Sequence, residues 1–131
     1  MRRGKKSESR ASREARRYFT ETVLAAGRCE LQDLFPHVCE GWADACHVLP
    51  KQFLKRKTNT WTEADQLAVL WSPANGLAGC RAAHNRFDAP GHGGVTFADL
   101  PLAAVAFAEK HGWSWKLERI YGEESHELRA A

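Results

Sequence analysis

The stretch CHVLP at residues 46–50, together with WSPANGLAGCRAAHNRFD at residues 71–88, decides the fold. It contains a histidine in a short apolar run, and Asn75 with the glycine after it is a strong turn signal. If the last eight residues are helical, His84 and Asp88 lie one turn apart on the same helix face. That spacing lets two side chains reach one cation, as paired histidines do in helical zinc motifs. The pattern therefore predicts a metal site.

This arrangement resembles the HNH nucleases, whose fold is known as ββα-metal, and it is most similar to small phage-encoded members. The resemblance implies that His47 is the base that activates water, and that Asn75 fixes a loop and orients that base. It also implies that His84 is a metal ligand and that Asp88 is the second helical ligand found in colicin-type members. Cys46 stands where the family has a metal-holding His or Asp. A softer ion such as Zn²⁺ or Ni²⁺ is therefore an alternative to Mg²⁺ or Mn²⁺.

Many family members also carry a four-cysteine zinc site, and Cys29, Cys39 and Cys80 match three of its positions. The fourth position is an alanine here, so one thiol is missing. Uneven cysteine spacing in a cytosolic protein indicates metal binding or free thiols rather than disulfides. Two interpretations are open. Either the three thiols hold a structural zinc with His37 or His84 nearby, or they simply pack in the core.

Basic residues are concentrated near the N-terminus. Residues 1–17 contain eight Lys or Arg and two Glu, although the whole chain has a net charge of +3. Such an arm is typical of contact with a polyanion. A helical pattern begins within it, and a second basic run follows Pro50. Both runs are either solvated surfaces or contacts with the DNA backbone. The candidate DNA-binding residues are Arg10, Arg13, Arg16, Arg17, Lys51, Lys55, Arg56 and Lys57.

The predicted fold class is α+β, a ββα-metal core with an added N-terminal helix and a C-terminal helix plus strand. We expect a disordered basic arm at 1–9, a single nuclease domain at 10–121 and a frayed tail at 122–131. The predicted elements are helices at 10–26, 63–70, 81–88 and 101–111, a first strand at 42–49 and a final strand at 113–120. No apolar run approaches the length of a membrane span. The predicted location is the cytoplasm, that of the host if the protein is phage-encoded.

These residues predict a metal-dependent endonuclease that hydrolyses DNA phosphodiester bonds with histidine-activated water and one divalent cation. The alternative is a catalytically degraded nucleic-acid-binding module that kept the HNH fold. Similarity to phage proteins also suggests a packaging partner, whose identity the residues leave open. His92, His111 and His126 are expected to be incidental surface or capping residues.

Overall fold

The computed structural model describes residues 8–122, and within them it confirms an α+β fold of six α-helices and one two-stranded antiparallel sheet. Most of the predicted arm and tail, residues 1–7 and 123–131, lies outside the described residues. Across the described range, the helices lack the combination of length and apolarity that crossing a bilayer demands. In chain order the elements are α1 (Arg10–Leu24), β1 (Ala43–His47), α2 (Lys51–Lys57), α3 (Glu63–Leu70), β2 (Gly76–Cys80), α4 (Arg81–Asp88), α5 (Leu102–Lys110) and α6 (Ser114–Tyr121). Short 3₁₀ turns lie at Glu30–Asp33, Pro73–Asn75, His92–Gly94 and Phe97–Asp99.

The two strands pair in antiparallel register, and His47 at the end of β1 lies opposite Gly76 at the start of β2. Because side chains alternate along a strand, the two faces of the sheet bury different residues. Ala78 packs against α1, whereas Cys46 and Leu77 belong to the main core. The sheet therefore separates a small apolar cluster under α1 from the larger core of the molecule.

α1 covers the first of these faces because its buried residues recur one turn apart. Phe19 and Val23 pack against the sheet, and arginines cover the exposed side of the helix. Ser9 caps α1 by accepting a hydrogen bond from the N–H of Ser12 at 3.0 Å. The close approach of α1 to β2 requires glycine at position 76, since a Cβ there would lie 2.5 Å from Cγ2 of Val23.

α4 begins directly after β2 and contacts both strands. The thiol of Cys80 caps the helix by accepting a hydrogen bond from the N–H of Ala83 at 3.4 Å. The helix spans Arg81–Asp88, which confirms the predicted helix at 81–88. Its packing places His84 beside β1.

The predicted final strand at 113–120 is wrong, because Ser114–Tyr121 forms α6. Alternating apolar residues suggested a strand, but Trp115 in that alternation is 46% exposed. Leu117 and Tyr121 are both buried, and they lie one helical turn apart. The apolar residues of this segment fit both the two-residue repeat of a strand and the 3.6-residue repeat of a helix, and their burial against the core selects the helix.

The connection between the strands holds two helices, of which the sequence predicted one. Lys51–Lys57 forms α2, which the sequence analysis treated only as a basic run on a solvated or DNA-contacting surface, but Phe53 and Leu54 on its other side are buried in the main core. α3 matches the predicted helix at 63–70, and the side chain of Thr62 caps it by accepting a hydrogen bond from the N–H of Asp65. The end of α3 brings Leu70 to the last residue of β1.

Candidate functional site

A cavity of about 660 Å³ lies beside β1, where α1, α4 and α6 contribute side chains. Three predicted site residues, His47, His84 and Asp88, line this cavity. Asp44 and Arg81, which the sequence did not single out, line it as well, and so does His92, which was expected to be incidental. Its charged and histidine side chains are Arg16, Asp44, His47, Lys51, Arg81, His84, Asp88 and His92. The cavity therefore combines bases, carboxylates and cations in one space.

His47 ends β1, and its ring is held on several sides. Its Nε2 atom lies 2.9 Å from the carbonyl oxygen of Leu70. A carbonyl can only accept a hydrogen bond, so Nε2 carries the proton. The ring stacks on Phe19 with centroids 4.6 Å apart, and Trp71 meets it edge-on at 5.4 Å. These contacts fix both the tautomer and the orientation of the imidazole.

The other ring nitrogen of His47 is open. Nδ1 makes no hydrogen bond, and yet it is not fully buried: within residues 8–122, Nε1 of Trp71 is the one fully buried side-chain nitrogen or oxygen that lacks a hydrogen bond. Nδ1 of His47 therefore keeps some surface that solvent can reach. Burial lowers the pKa of His47, and the hydrogen bond to Leu70 opposes this only in part. The neutral imidazole presents a lone pair on Nδ1 near neutral pH, as a general base must.

Asn75 is fully buried and joins the segment after β1 to the start of β2. Its Oδ1 accepts from the N–H of Leu49 at 2.8 Å, and its Nδ2 donates to the carbonyl of Leu49 at 3.0 Å. Its own carbonyl accepts from the N–H of Val48 at 2.9 Å. Asn75 thus fixes the loop, whereas the carbonyl of Leu70 holds the His47 ring. Asn75 ends a 3₁₀ turn and directly precedes β2.

His84 lies between two carboxylates. Its Nδ1 is 3.1 Å from Oδ2 of Asp44, and its Nε2 is 3.0 Å from Oδ2 of Asp88. The helix places His84 and Asp88 on one face, as predicted. Hydrogen bonds to Asp88, then to Cys46 and Asp44, raise the pKa of His84 to about 11, although burial opposes them. Without metal, His84 is an imidazolium that neutralises two acids.

His84 and Asp88 could hold a cation once that proton has left. Neighbouring ligand atoms around an octahedral ion with bonds of about 2.1 Å lie about 3.0 Å apart. Nε2 of His84 and Oδ2 of Asp88 are 3.0 Å apart. The contact with Asp44 occupies Nδ1 of His84, and such a carboxylate is a common outer partner of a metal-binding imidazole. The pair could thus hold a divalent cation with Asp44 orienting the ring, and the metal role of His84 and Asp88 stays a prediction.

Cys46, the third predicted ligand, is enclosed by the sheet and the core and has no exposed surface. Its Sγ would lie 3.1 Å from a Cβ added at Gly79. Burial raises the pKa of its thiol more than the nearby His84 lowers it. The sulfur is therefore neutral, whereas a metal ligand is a thiolate. The metal role of Cys46 stays a prediction, and Asp44, two residues earlier on the same strand face, offers a carboxylate oxygen.

A second cluster lies at the start of α4, where ligand atoms of Cys29, His37, Cys39 and Cys80 are all within 4.8 Å of one another. Nε2 of His37 is 3.5 Å from Sγ of both Cys29 and Cys39. Tetrahedral zinc bonds of about 2.3 Å to sulfur and about 2.0 Å to nitrogen separate such atoms by about 3.5 Å. Nδ1 of His37 donates to the carbonyl of Phe35 at 3.0 Å, which leaves Nε2 for a metal. This Cys₃His cluster could hold a metal ion.

The sequence left open whether His37 or His84 lies beside the three thiols. His37 completes the cluster, whereas His84 lies in the cavity. Ala83, at the position of the missing thiol, contributes its backbone N–H to Cys80. Burial by itself raises the pKa of Cys80, but hydrogen bonds with the backbone of Ala83 and Glu40 outweigh it and lower the pKa to about 7. The thiolate that a metal requires therefore forms near neutral pH.

The predicted DNA-binding residues lie on two exposed helices. Arg16 of α1 and Lys51 of α2 line the cavity, and Arg16 pairs with Glu8 at 2.7 Å. Arg10 pairs with Glu14 at 3.0 Å on the outer side of α1. The exposed residues outside the cavity lining are Arg10, Arg13, Arg17, Lys55, Arg56 and Lys57. The structure thus brings two of the eight predicted residues to the cavity.

Asp44, Arg81 and His92 are the charged or histidine residues of the cavity whose place there sequence reasoning missed. Strand alternation could have indicated Asp44, since residues two apart on β1 share a face. His92 carried no such signal, because its position depends on the turn that follows α4.

Comparisons of the chain with protein-family models, with curated proteins and with solved structures found no match. The chemistry of the cavity and of the Cys₃His cluster therefore carries the case for a function.

Proposed function

We propose that this chain is a metal-dependent endonuclease of the HNH type, which hydrolyses DNA phosphodiester bonds. The observation that carries the proposal is the cavity shared by His47 and the pair His84–Asp88. His47 offers an open Nδ1, and the pair offers ligand atoms 3.0 Å apart. The succession of β1, β2 and α4 in contact with one another supports a ββα-metal core.

Phosphodiester hydrolysis requires a water nucleophile, a base, and positive charge at the phosphoryl group. Nδ1 of His47 takes the proton as the water oxygen bonds to phosphorus. A Mg²⁺ or Mn²⁺ ion on His84 and Asp88 would supply the positive charge at the phosphate and the leaving 3′ oxygen. The carbonyl of Leu70 keeps the His47 ring in position during the proton transfer.

Cationic side chains at the cavity support a polyanionic substrate. Arg16 and Lys51 line it, and Lys51 lies 5.2 Å from the centre of the Trp71 ring, which limits its movement. Ser9 and Glu8 lead into α1 at the same end of the molecule as Arg16. In this proposal the four Lys and Arg among residues 1–7 add contacts with DNA phosphates to those of Arg16 and Lys51.

We also propose that the Cys₃His cluster binds a structural zinc ion. Cys29 and Cys39 belong to the segment before β1, whereas Cys80 caps α4. An ion there would fasten that segment to the N-terminus of the helix that carries His84. Purified protein should contain about one zinc per chain, and His37→Ala should lose it. Equal zinc content in wild type and His37→Ala would refute this assignment.

One observation favours the alternative, a nucleic-acid-binding module without activity. Cys46 occupies the position where the family has a metal ligand, and it is a buried, neutral thiol. In this alternative the contacts of His84 with Asp44 and Asp88 are structural ion pairs, and the cations on α1 and α2 hold DNA without cleaving it.

A plasmid-nicking assay with Mg²⁺, Mn²⁺, Ni²⁺ or Zn²⁺ separates the two functions. We expect metal-dependent nicking by the wild type, and a loss of about 10² to 10⁴ in rate for His47→Ala. His111→Ala is the matched control, since His111 does not line the cavity. Both variants must melt as folded proteins. DNA binding without nicking under all four metals would refute the nuclease and support the binding module.

A further inference from the structure

His92 has an unusual backbone for its residue type. Its φ is 48°, and within residues 8–122 it is the one non-glycine residue with positive φ. Its neighbours Gly91, Gly93 and Gly94 also have positive φ, at 89°, 67° and 84°. Glycine adopts this region without strain, whereas a residue with a Cβ does not. The turn thus uses glycine at every left-handed position except the one whose side chain lines the cavity.

The ring of His92 is fixed with one nitrogen open. Its Nδ1 lies 2.7 Å from the carbonyl of Phe87, so Nδ1 carries a proton. Its ring packs on Tyr121 with centroids 5.1 Å apart, and on Phe87 at 6.2 Å. Nε2 makes no hydrogen bond and is not fully buried, so it keeps some surface that solvent can reach. A strained backbone that persists at a cavity and aims a fixed polar ring is a feature of functional sites.

His47 and His92 lie on different walls of the cavity. His47 packs on Phe19 and Trp71, whereas His92 packs on Phe87 and Tyr121. In-line displacement at phosphorus places the attacking oxygen and the leaving oxygen on opposite sides. A base on one wall and a proton donor on another wall match that requirement.

We infer that His92 is a further catalytic residue, which donates a proton to the leaving 3′ oxygen of the DNA strand; this role rests on the proposed nuclease function. The water oxygen bonds to phosphorus and gives its proton to Nδ1 of His47. The bond between phosphorus and the 3′ oxygen breaks, and that oxygen takes the proton from Nε2 of the His92 imidazolium. The products are a 5′ phosphate, a 3′ hydroxyl, a protonated His47 and a neutral His92.

The variant His92→Gly tests this role without disturbing the turn. Glycine accepts a φ of 48°, but the variant loses the ring packing on Tyr121 and the hydrogen bond to the Phe87 carbonyl, so it should melt below the wild type and must be shown to be folded at the assay temperature. Its nicking rate should fall about 10²-fold or more, as for loss of a general acid. His92→Asn serves as a second variant, because Asn also tolerates left-handed backbone but cannot donate an acidic proton.

A substrate with sulfur in place of the 3′ bridging oxygen distinguishes proton donation from a structural role. A thiolate leaves without protonation, so His92→Gly should cleave this substrate within about threefold of the wild type, whereas His47→Ala should remain impaired on both substrates. Mn²⁺ is used throughout, because it accepts sulfur better than Mg²⁺ does. An unchanged nicking rate for His92→Gly, or an equal defect on both substrates, would overturn the role of His92 alone. A wild type that nicks neither substrate would overturn the nuclease itself, and the role of His92 with it.

Discussion

Replacement of Asn75 by Ala tests what the buried amide does. The change removes an acceptor from the Leu49 N–H and a donor from the Leu49 carbonyl, and Leu49 has no exposed surface that would let water replace them. Each buried backbone group left without a partner costs about 1–3 kcal/mol. The free energy of unfolding should therefore fall by roughly 2–5 kcal/mol.

The expected change in melting temperature follows from the size of the domain. For a domain of this length, each kcal/mol shifts the midpoint by about 4 °C, so Asn75→Ala should melt roughly 8–20 °C below the wild type. Urea denaturation at 25 °C checks the same loss by an independent route, and the slope with denaturant should stay unchanged. Asn85→Ala is the matched control, because Asn85 is exposed on α4.

An Asn75→Ala protein that melts like the wild type but no longer nicks DNA would refute this reasoning. That result would mean that Asn75 acts on the His47 ring or on the substrate, and not on the loop. Asn75→Asp adds a further check. It keeps an acceptor for the Leu49 N–H but cannot donate to the carbonyl when ionised, so it should also be clearly destabilised.

Three further outcomes are expected. Because burial lowers the pKa of His47, the fall of the nicking rate on the acid side, measured at saturating metal, should have its midpoint below pH 6.5; an acid-side midpoint above pH 7 would contradict an unprotonated base. Because the contacts of His84 raise its pKa to about 11, a metal ion must displace its proton at neutral pH. The affinity for Mn²⁺, measured by calorimetry, should therefore rise about tenfold per pH unit between pH 6 and 9. An affinity that does not change with pH would exclude His84 as a ligand. Removal of residues 1–7, which spares Phe19 and the rest of α1, should weaken DNA binding for all sequences and flatten its dependence on salt; an unchanged salt slope would show that the arm makes no phosphate contacts.

Local sequence signals predicted the helices that carry the site. The boundaries of α4 and α3 were predicted correctly because a cap and an apolar face lie within one or two turns of chain. The pair His84–Asp88 follows from helix geometry alone. α6 was mistaken for a strand because three apolar residues at alternate positions fit either period, and only burial of Leu117 and Tyr121 against the core distinguishes them.

The sequence by itself determined the α+β class, the helical pair His84–Asp88, and the three thiols with two candidate histidines. Tertiary structure decided which groups meet. Asp44 contacts His84 across 40 residues, and Cys29 contacts Cys80 across 51. The physical reason is that local periodicity and capping act over a few residues. The partner of a buried polar group depends instead on how α1, the sheet and α4 pack, which no short stretch of sequence specifies.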